Sequence, residues 1–162
     1  MQAGRAGEAD PDGAFIHYDL QAMAIDSEAT VINKSQRVLG GRCLCGACRF
    51  ELIGDPIWVG HCHCESCRRA TASPFTTWIG QANGSWKLLG AVPVTYESSP
   101  GNTRGFCGKC GSPMFFKSVR FPNEMHFYAA LLDHPETIKP TKHYHADEIL
   151  PWIHLADNLP RL

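Results

Sequence analysis

From Leu39 onward, apolar and polar residues alternate in short runs, and each run is closed by Gly, Pro, Asn or Ser. A period of two over so few residues predicts strands rather than helices. The run "CRFELIG" ends a first predicted hairpin whose turn is "CLCGAC". "PIWVGHC" reads as a strand feeding directly into a second cysteine cluster. "SPFTTWIG" sets Phe75, Thr77 and Ile79 on one face, with Thr76 and Trp78 on the other. "SWKLLG" and "VPVTYES" predict a further hairpin through Gly90. "NTRGFC" and "PMFFKS" flank a third cysteine cluster, "EMHFYAALL" reads as an apolar strand and "KHYHADEI" as a more polar one. The helical candidate in this stretch is the turn at "CESCRRATA". No long-period repeat is visible. Many short strands at even spacing predict an all-β protein of antiparallel sheets with short helical turns, its cysteines at strand ends.

The first thirteen residues are rich in Gly, Ala, Asp and Glu, unlike the rest of the chain. Residues 1–38 are therefore expected to be an N-terminal extension, partly disordered, and residues 39–162 to form one folded domain. A formal net charge of −1 offers no basic field for nucleic acid or an anionic membrane. No apolar run approaches the roughly 20 residues of a membrane span. The N-terminus lacks the basic start and apolar stretch of a secretory signal, which leads to the expectation of a cytoplasmic protein. In a reducing compartment, eight cysteines point to metal rather than to disulfides.

The clearest motif is "FCGKCGS". Cys107 and Cys110 have the spacing of a zinc knuckle, in which a tight turn aims two sulfurs at one metal and the following Gly111 accepts the required backbone strain. A partner pair must come from "CLCGAC". Cys45 and Cys48 have knuckle spacing. Cys43 and Cys45 share one face of an extended strand. Cys48 also fits as a small buried residue beside Phe50 and Leu52, so local spacing leaves both pairs open. The middle cluster, "HCHCESCRR", holds Cys62, Cys64 and Cys67. Three protein ligands and an open position are characteristic of a catalytic zinc. His61 and His63 are candidates to close that site, but they alternate with the cysteines and should face the opposite way, which favours an open one.

"GGRCLCGACRF", "HCHCESCRR", "RGFCGKCGSPMFF" and "DHPETIKPTKHYHADEILPWIHLADNLPR" together resemble the glutathione-dependent formaldehyde-activating enzyme family, also called the centromere protein V family. The resemblance implies a β-tent of antiparallel sheets carrying two zinc ions. It implies a structural zinc on Cys43, Cys45, Cys107 and Cys110, and a second on Cys62, Cys64 and Cys67 whose open position takes a substrate thiolate. It implies a carbon–sulfur lyase similar to S-(hydroxymethyl)glutathione synthase, joining glutathione to formaldehyde. Cys48 departs from the family pattern and is expected to be a buried free thiol.

Arg68 and Arg69 come directly after the middle cluster and are candidates to pair with the carboxylates of glutathione. Trp58, Phe75, Trp78, Phe115 and Phe116 are divided between core packing and the wall of a pocket. His126, His143 and His145 read as surface or β-face residues rather than ligands. The alternative to an enzyme is a non-catalytic, zinc-stabilised interaction module with both sites closed.

Overall fold

In the computed structural model, which describes residues 37–162, the first cysteine turn joins β1 (Val38–Arg42) to β2 (Cys48–Ile53). β5 (Trp86–Gly90) pairs along the other edge of β2 and completes a three-stranded antiparallel sheet. The other strands are β3 (Trp58–Cys62), β4 (Thr76–Ala82), β6 (Val94–Ser99), β7 (Asn102–Phe106), β8 (Pro113–Ser118), β9 (Glu124–Tyr128) and β10 (His143–Tyr144). They form a second, seven-stranded sheet in the order β10-β3-β4-β9-β8-β7-β6. Helix α1 (Glu65–Thr71) links β3 to β4. All neighbours are antiparallel except β10 and β3, which run parallel with Tyr144 opposite Cys62.

The all-β class is as the sequence predicts, with each cysteine cluster at the end of a strand. Two elements differ. β5 and β6 do not form a hairpin, because they belong to different sheets. Trp86 is buried against Phe127 and holds β5 on β2, while Pro93 removes a ladder donor where a return strand would begin. The run "KHYHADEI" contributes only two strand residues before His145 adopts a left-handed conformation, φ 55°. The expected N-terminal extension lies outside the described residues apart from Arg37 and Val38, and Val38 already begins β1. Among the described residues, no helix is long and apolar enough to cross a membrane.

Alternation along the larger sheet sorts its side chains. Val59, Ile79, Phe115, Met125 and Phe127 turn toward the smaller sheet and merge with Cys48, Phe50, Leu52 and Trp86 in one core. Trp58, Cys62, Trp78, Phe116, Tyr128 and Tyr144 gather in a second cluster on the opposite face. Gly80 belongs to this second face, where a Cβ would run into the Trp58 indole. The absence of a side chain there is what lets the indole lie flat over the sheet.

Phe127 is fully buried, with its ring 4.9 Å from Phe50 and 5.8 Å from Trp86, so it couples the two sheets. Phe127→Ala is expected to lower stability by about 3–5 kcal/mol. Denaturant unfolding at fixed zinc concentration measures this; a loss under about 1 kcal/mol would place the contact between the sheets elsewhere.

Candidate functional site

Two cysteine-rich turns, one from each sheet, meet at one end of the molecule. The Sγ atoms of Cys43 and Cys45, from the β1–β2 turn, and of Cys107 and Cys110, from the β7–β8 turn, all lie within 4.8 Å of one another. Cys43 and Cys45 are 3.6 Å apart and Cys45 and Cys107 3.9 Å. These values bracket the edge of about 3.8 Å expected for a tetrahedron with zinc–sulfur bonds of about 2.3 Å. The donor set therefore fits a four-thiolate metal site. Ser112, through its hydroxyl, pulls the Cys110 thiol down to about 5, and the backbone N–H of Cys110 lowers Cys107. Cys48 stands outside the group. It is buried beside Phe50 in the core, its N–H donates to Cys43 Sγ at 3.3 Å, and burial pushes its thiol up to about 12.

The second cluster is built within one short segment. Cys62 ends β3, Cys64 caps α1, and Cys67 lies in the first turn of that helix. The Cys62 thiol donates to Cys64 Sγ at 3.5 Å and the Cys67 N–H donates to the same sulfur at 3.4 Å. Cys64 is consequently driven toward thiolate, first by the Cys62 thiol and then by Cys67, while Cys62 is pushed up by the same hydrogen bond. Cys67 adjoins both sulfurs. The three donor atoms lying within 4.8 Å of one another here belong to Cys62, Cys64 and His145. The imidazole is a ligand candidate that the sequence pattern hides, because strand alternation makes residue 145 a partner of His143 on the far face.

The sulfurs open onto a cavity of about 280 Å³ on the second face of the larger sheet. Trp58, Trp78 and Phe116 line it, whereas Phe115 lies in the core and Phe75 packs edge-on against His61. Two arginines line it as well. Arg104 is buried, with its guanidinium 4.8 Å over Phe116, and donates to Tyr128 Oη at 3.3 Å and to Ser66 Oγ at 3.1 Å. Arg120 lies 5.8 Å over Phe121 and makes no ion pair among the described residues. Glu124 accepts the Trp58 indole N–H at 2.7 Å. His126 is buried, which lowers its pKa against the pull of Glu124, whose Oε1 lies 3.5 Å from His126 Nε2 without forming a hydrogen bond.

Arg68 and Arg69 stand elsewhere. Arg68 donates to the His63 carbonyl at 2.9 Å and lies 3.7 Å from Glu148. Arg69 pairs with Glu65 one helical turn back, at 2.7 Å. Neither lines the cavity. Arg104 is visible in "NTRGFC" only as a polar residue in a strand, and its place is determined once Trp78 and Tyr128 fix which face of the sheet is open.

On the reverse face, the histidines contact one another. Asp157 accepts from His143 Nε2 at 3.0 Å, so His143 Nδ1 is left to accept from His63 Nε2 at 2.8 Å. His63 and His143 are fully buried, and burial takes His63 down to about 4. His63 Nδ1 remains as an unpartnered acceptor. His61 stacks on His143 at 5.0 Å and reaches Thr77 Oγ1 at 2.9 Å.

The model of a family described as glutathione-dependent formaldehyde-activating enzyme matches residues 38–148. An uncharacterized lyase of Schizosaccharomyces pombe is 32% identical over 98 residues, a span covering 60% of this chain and 71% of that protein. A putative glutathione-dependent formaldehyde-activating enzyme of Halomonas elongata is 29% identical over 105 residues, covering 59% of this chain and 66% of its relative. The crystal structure of a Rhodobacter sphaeroides protein shares the fold, with a TM-score of 0.50 over 62% of this chain and 91% of that one, at 19% identity. With the family match extending from β1 through the last cavity-lining residue, the chain belongs to the glutathione-dependent formaldehyde-activating enzyme family.

Proposed function

We propose that this chain is a zinc-dependent carbon–sulfur lyase-type enzyme that makes and breaks a thiol–aldehyde adduct, with glutathione and formaldehyde as the model substrates. The observation that carries this reading is the exposure of the Cys62–Cys64 sulfurs to a cavity lined by aromatic rings and two arginines. The volume, about 280 Å³, is at the small end of ligand pockets and open at its mouth, as suits a thiol that enters by its sulfur and leaves its polar ends outside.

Cys43, Cys45, Cys107 and Cys110 would hold a structural zinc that joins the two sheets, and Cys62, Cys64 and Cys67 a second. When bound, this second zinc would draw an incoming thiol into its thiolate form at neutral pH. The chain's own groups do the rest. Trp58, Trp78 and Phe116 exclude water from the reacting carbon, and buried Arg104 fixes Ser66 and Tyr128 beside the sulfurs. In the forward direction the carbon–sulfur bond forms, the carbonyl π pair moves to oxygen, and a proton from the solvent-filled mouth completes the hydroxyl. The thiol proton has already passed to solvent, so the sum is the addition of a thiol to an aldehyde. With Arg68 and Arg69 bound to Glu148 and Glu65, the carboxylate-binding role falls to Arg120 at the rim and to Arg104 within.

Metal content and thiol response test this reading directly. Purified chain is expected to carry two zinc ions, one removed by a mild chelator and protected by glutathione. Exchange NMR should then show faster interconversion of glutathione, formaldehyde and adduct in the presence of the protein. Two inert zinc ions indifferent to thiols would favour the closed interaction module instead. Cys107→Ser is expected to abolish cooperative folding, because a structural zinc supplies folding free energy directly, whereas Cys64→Ser should keep the fold and lose one metal. Circular dichroism and metal analysis separate the two. Arg120→Ala should raise KM for glutathione about tenfold with little change in kcat, the loss expected of one charge-assisted hydrogen bond; an unchanged KM would remove Arg120 from substrate binding.

A further inference from the structure

We infer that His145 is the resting fourth ligand of the metal held by Cys62, Cys64 and Cys67, and that an incoming thiolate displaces it. The inference rests on the proposed function and names the group that occupies the open position between turnovers.

Three independent features point to it. First, a ring nitrogen of His145 and the sulfurs of Cys62 and Cys64 lie within 4.8 Å of one another, although residue 145 is some eighty positions away along the chain; Cys67 adjoins the two sulfurs but stands outside that group of three. Second, the backbone is bent to bring it there. On β10, His143 faces the histidine cluster and Tyr144 faces the cavity, so simple alternation would send residue 145 back toward His143. Instead His145 adopts φ 55°, a left-handed conformation unfavourable for a residue with a Cβ, and its imidazole joins Tyr144 in the cavity wall. Third, a carboxylate lies behind the ring. Glu148 Oε1 is 3.5 Å from His145 Nδ1, and Glu148 is itself anchored, with Oε2 accepting the Glu65 N–H at 2.6 Å and lying 3.7 Å from Arg68. A carboxylate behind one ring nitrogen is the arrangement that orients a metal-binding imidazole.

The same features make the ligand displaceable. The His145 side chain is 57% exposed, with Glu148 beside its Nδ1 at 3.5 Å. Zinc prefers thiolate to neutral imidazole where both are offered, so an entering substrate sulfur wins the position. The exchange balances: the metal–nitrogen bond breaks, a metal–sulfur bond forms, the thiol proton goes to solvent, and no electron moves. In the absence of thiol, the imidazole would supply the fourth donor beside the three cysteines.

The test uses the full chain, with the labile metal removed by a mild chelator and replaced by Zn²⁺ or Co²⁺. His145→Gly removes the imidazole at a backbone position that glycine accepts without strain. Its labile-site zinc affinity, measured against a chromophoric chelator, should fall about tenfold or more. Free imidazole should restore it, while the structural metal and the melting curve stay unchanged. The cobalt bands of the wild type should shift on adding 2-mercaptoethanol and then match those of the variant with the same thiol. Wild-type affinity and wild-type cobalt bands in His145→Gly would overturn the inference. If Cys64→Ser still loses the labile metal in that case, the thiol-binding site stands without His145. If Cys64→Ser retains the metal, the cysteine site itself is misassigned and the inference falls with it. Should the glycine variant fail to fold, His145→Asn, which also tolerates the left-handed conformation, is measured in the same way.

Discussion

Side-chain alternation along the seven-stranded sheet is the constraint on which both the core and the cavity rest. Ile79 of β4, Phe115 of β8, and Met125 and Phe127 of β9 pack in the core with the smaller sheet, and Trp78, Phe116 and His126 on the opposite face line the cavity. A slip of one residue in β9 would exchange Phe127 for His126 and destroy both at once. On β3 and its continuation to Cys64, the same rule separates two chemistries by the thickness of one backbone. Cys62 and Cys64 are on the open side. His61 and His63 are on the other, where His61 reaches Thr77, His63 donates to His143, and His143 in turn donates to Asp157.

The two sulfur clusters answer different demands. The first takes two cysteines from each sheet, so its members are brought together only by the fold. Neighbouring donors lower the Cys107 and Cys110 thiols, while Cys45 is pushed up to about 11, its Ala47 backbone hydrogen bond outweighed by desolvation and the neighbouring thiols. The second cluster draws its cysteines from residues 62–67, where a strand ends and a helix begins. Its geometry is local, so it can face solvent without the sheets depending on it. On the proposed function, the site that joins the layers and the site that meets ligand thus draw their cysteines from different segments of the chain.

Much of this is legible in the residues. Period-two runs and the turn residues between them locate nearly every strand, because each strand has one apolar face and short bounds. What those runs do not carry is which sheet a strand joins, and that is where β5 and β6 depart from a hairpin: Trp86 is placed by a partner in a distant strand. Spacing alone cannot choose between Cys43 and Cys48, since both fit a turn. Both are buried, and the structure separates them by the sulfur's place: Cys43 Sγ gathers with those of Cys45, Cys107 and Cys110, and Cys48 Sγ does not. The cavity arginines escape the sequence pattern for a similar reason. Arg68 and Arg69 adjoin the cysteines in sequence, but helix α1 turns them toward Glu148 and Glu65, while Arg104 arrives from four strands away. His145 escapes it because a single left-handed residue breaks the alternation on which a strand reading depends.

The attachment of residues 143–162 has a consequence for motion. β10 lies between β3 and the chain's last residues, held by His143 to Asp157, by His143 N–H to the Pro160 carbonyl and by Leu162 N–H to the His143 carbonyl. Most side chains from Ile149 onward are half-buried or exposed, so releasing this segment gives up hydrogen bonds that water can replace and little apolar area. Its free energy of local opening therefore lies well below that of the two-sheet core. Tyr144 and His145 reach the cavity from this same edge, so two of its walls are supplied by the last strand of the sheet and the residue after it, and depend on the hydrogen bonds that pin residues 143–162.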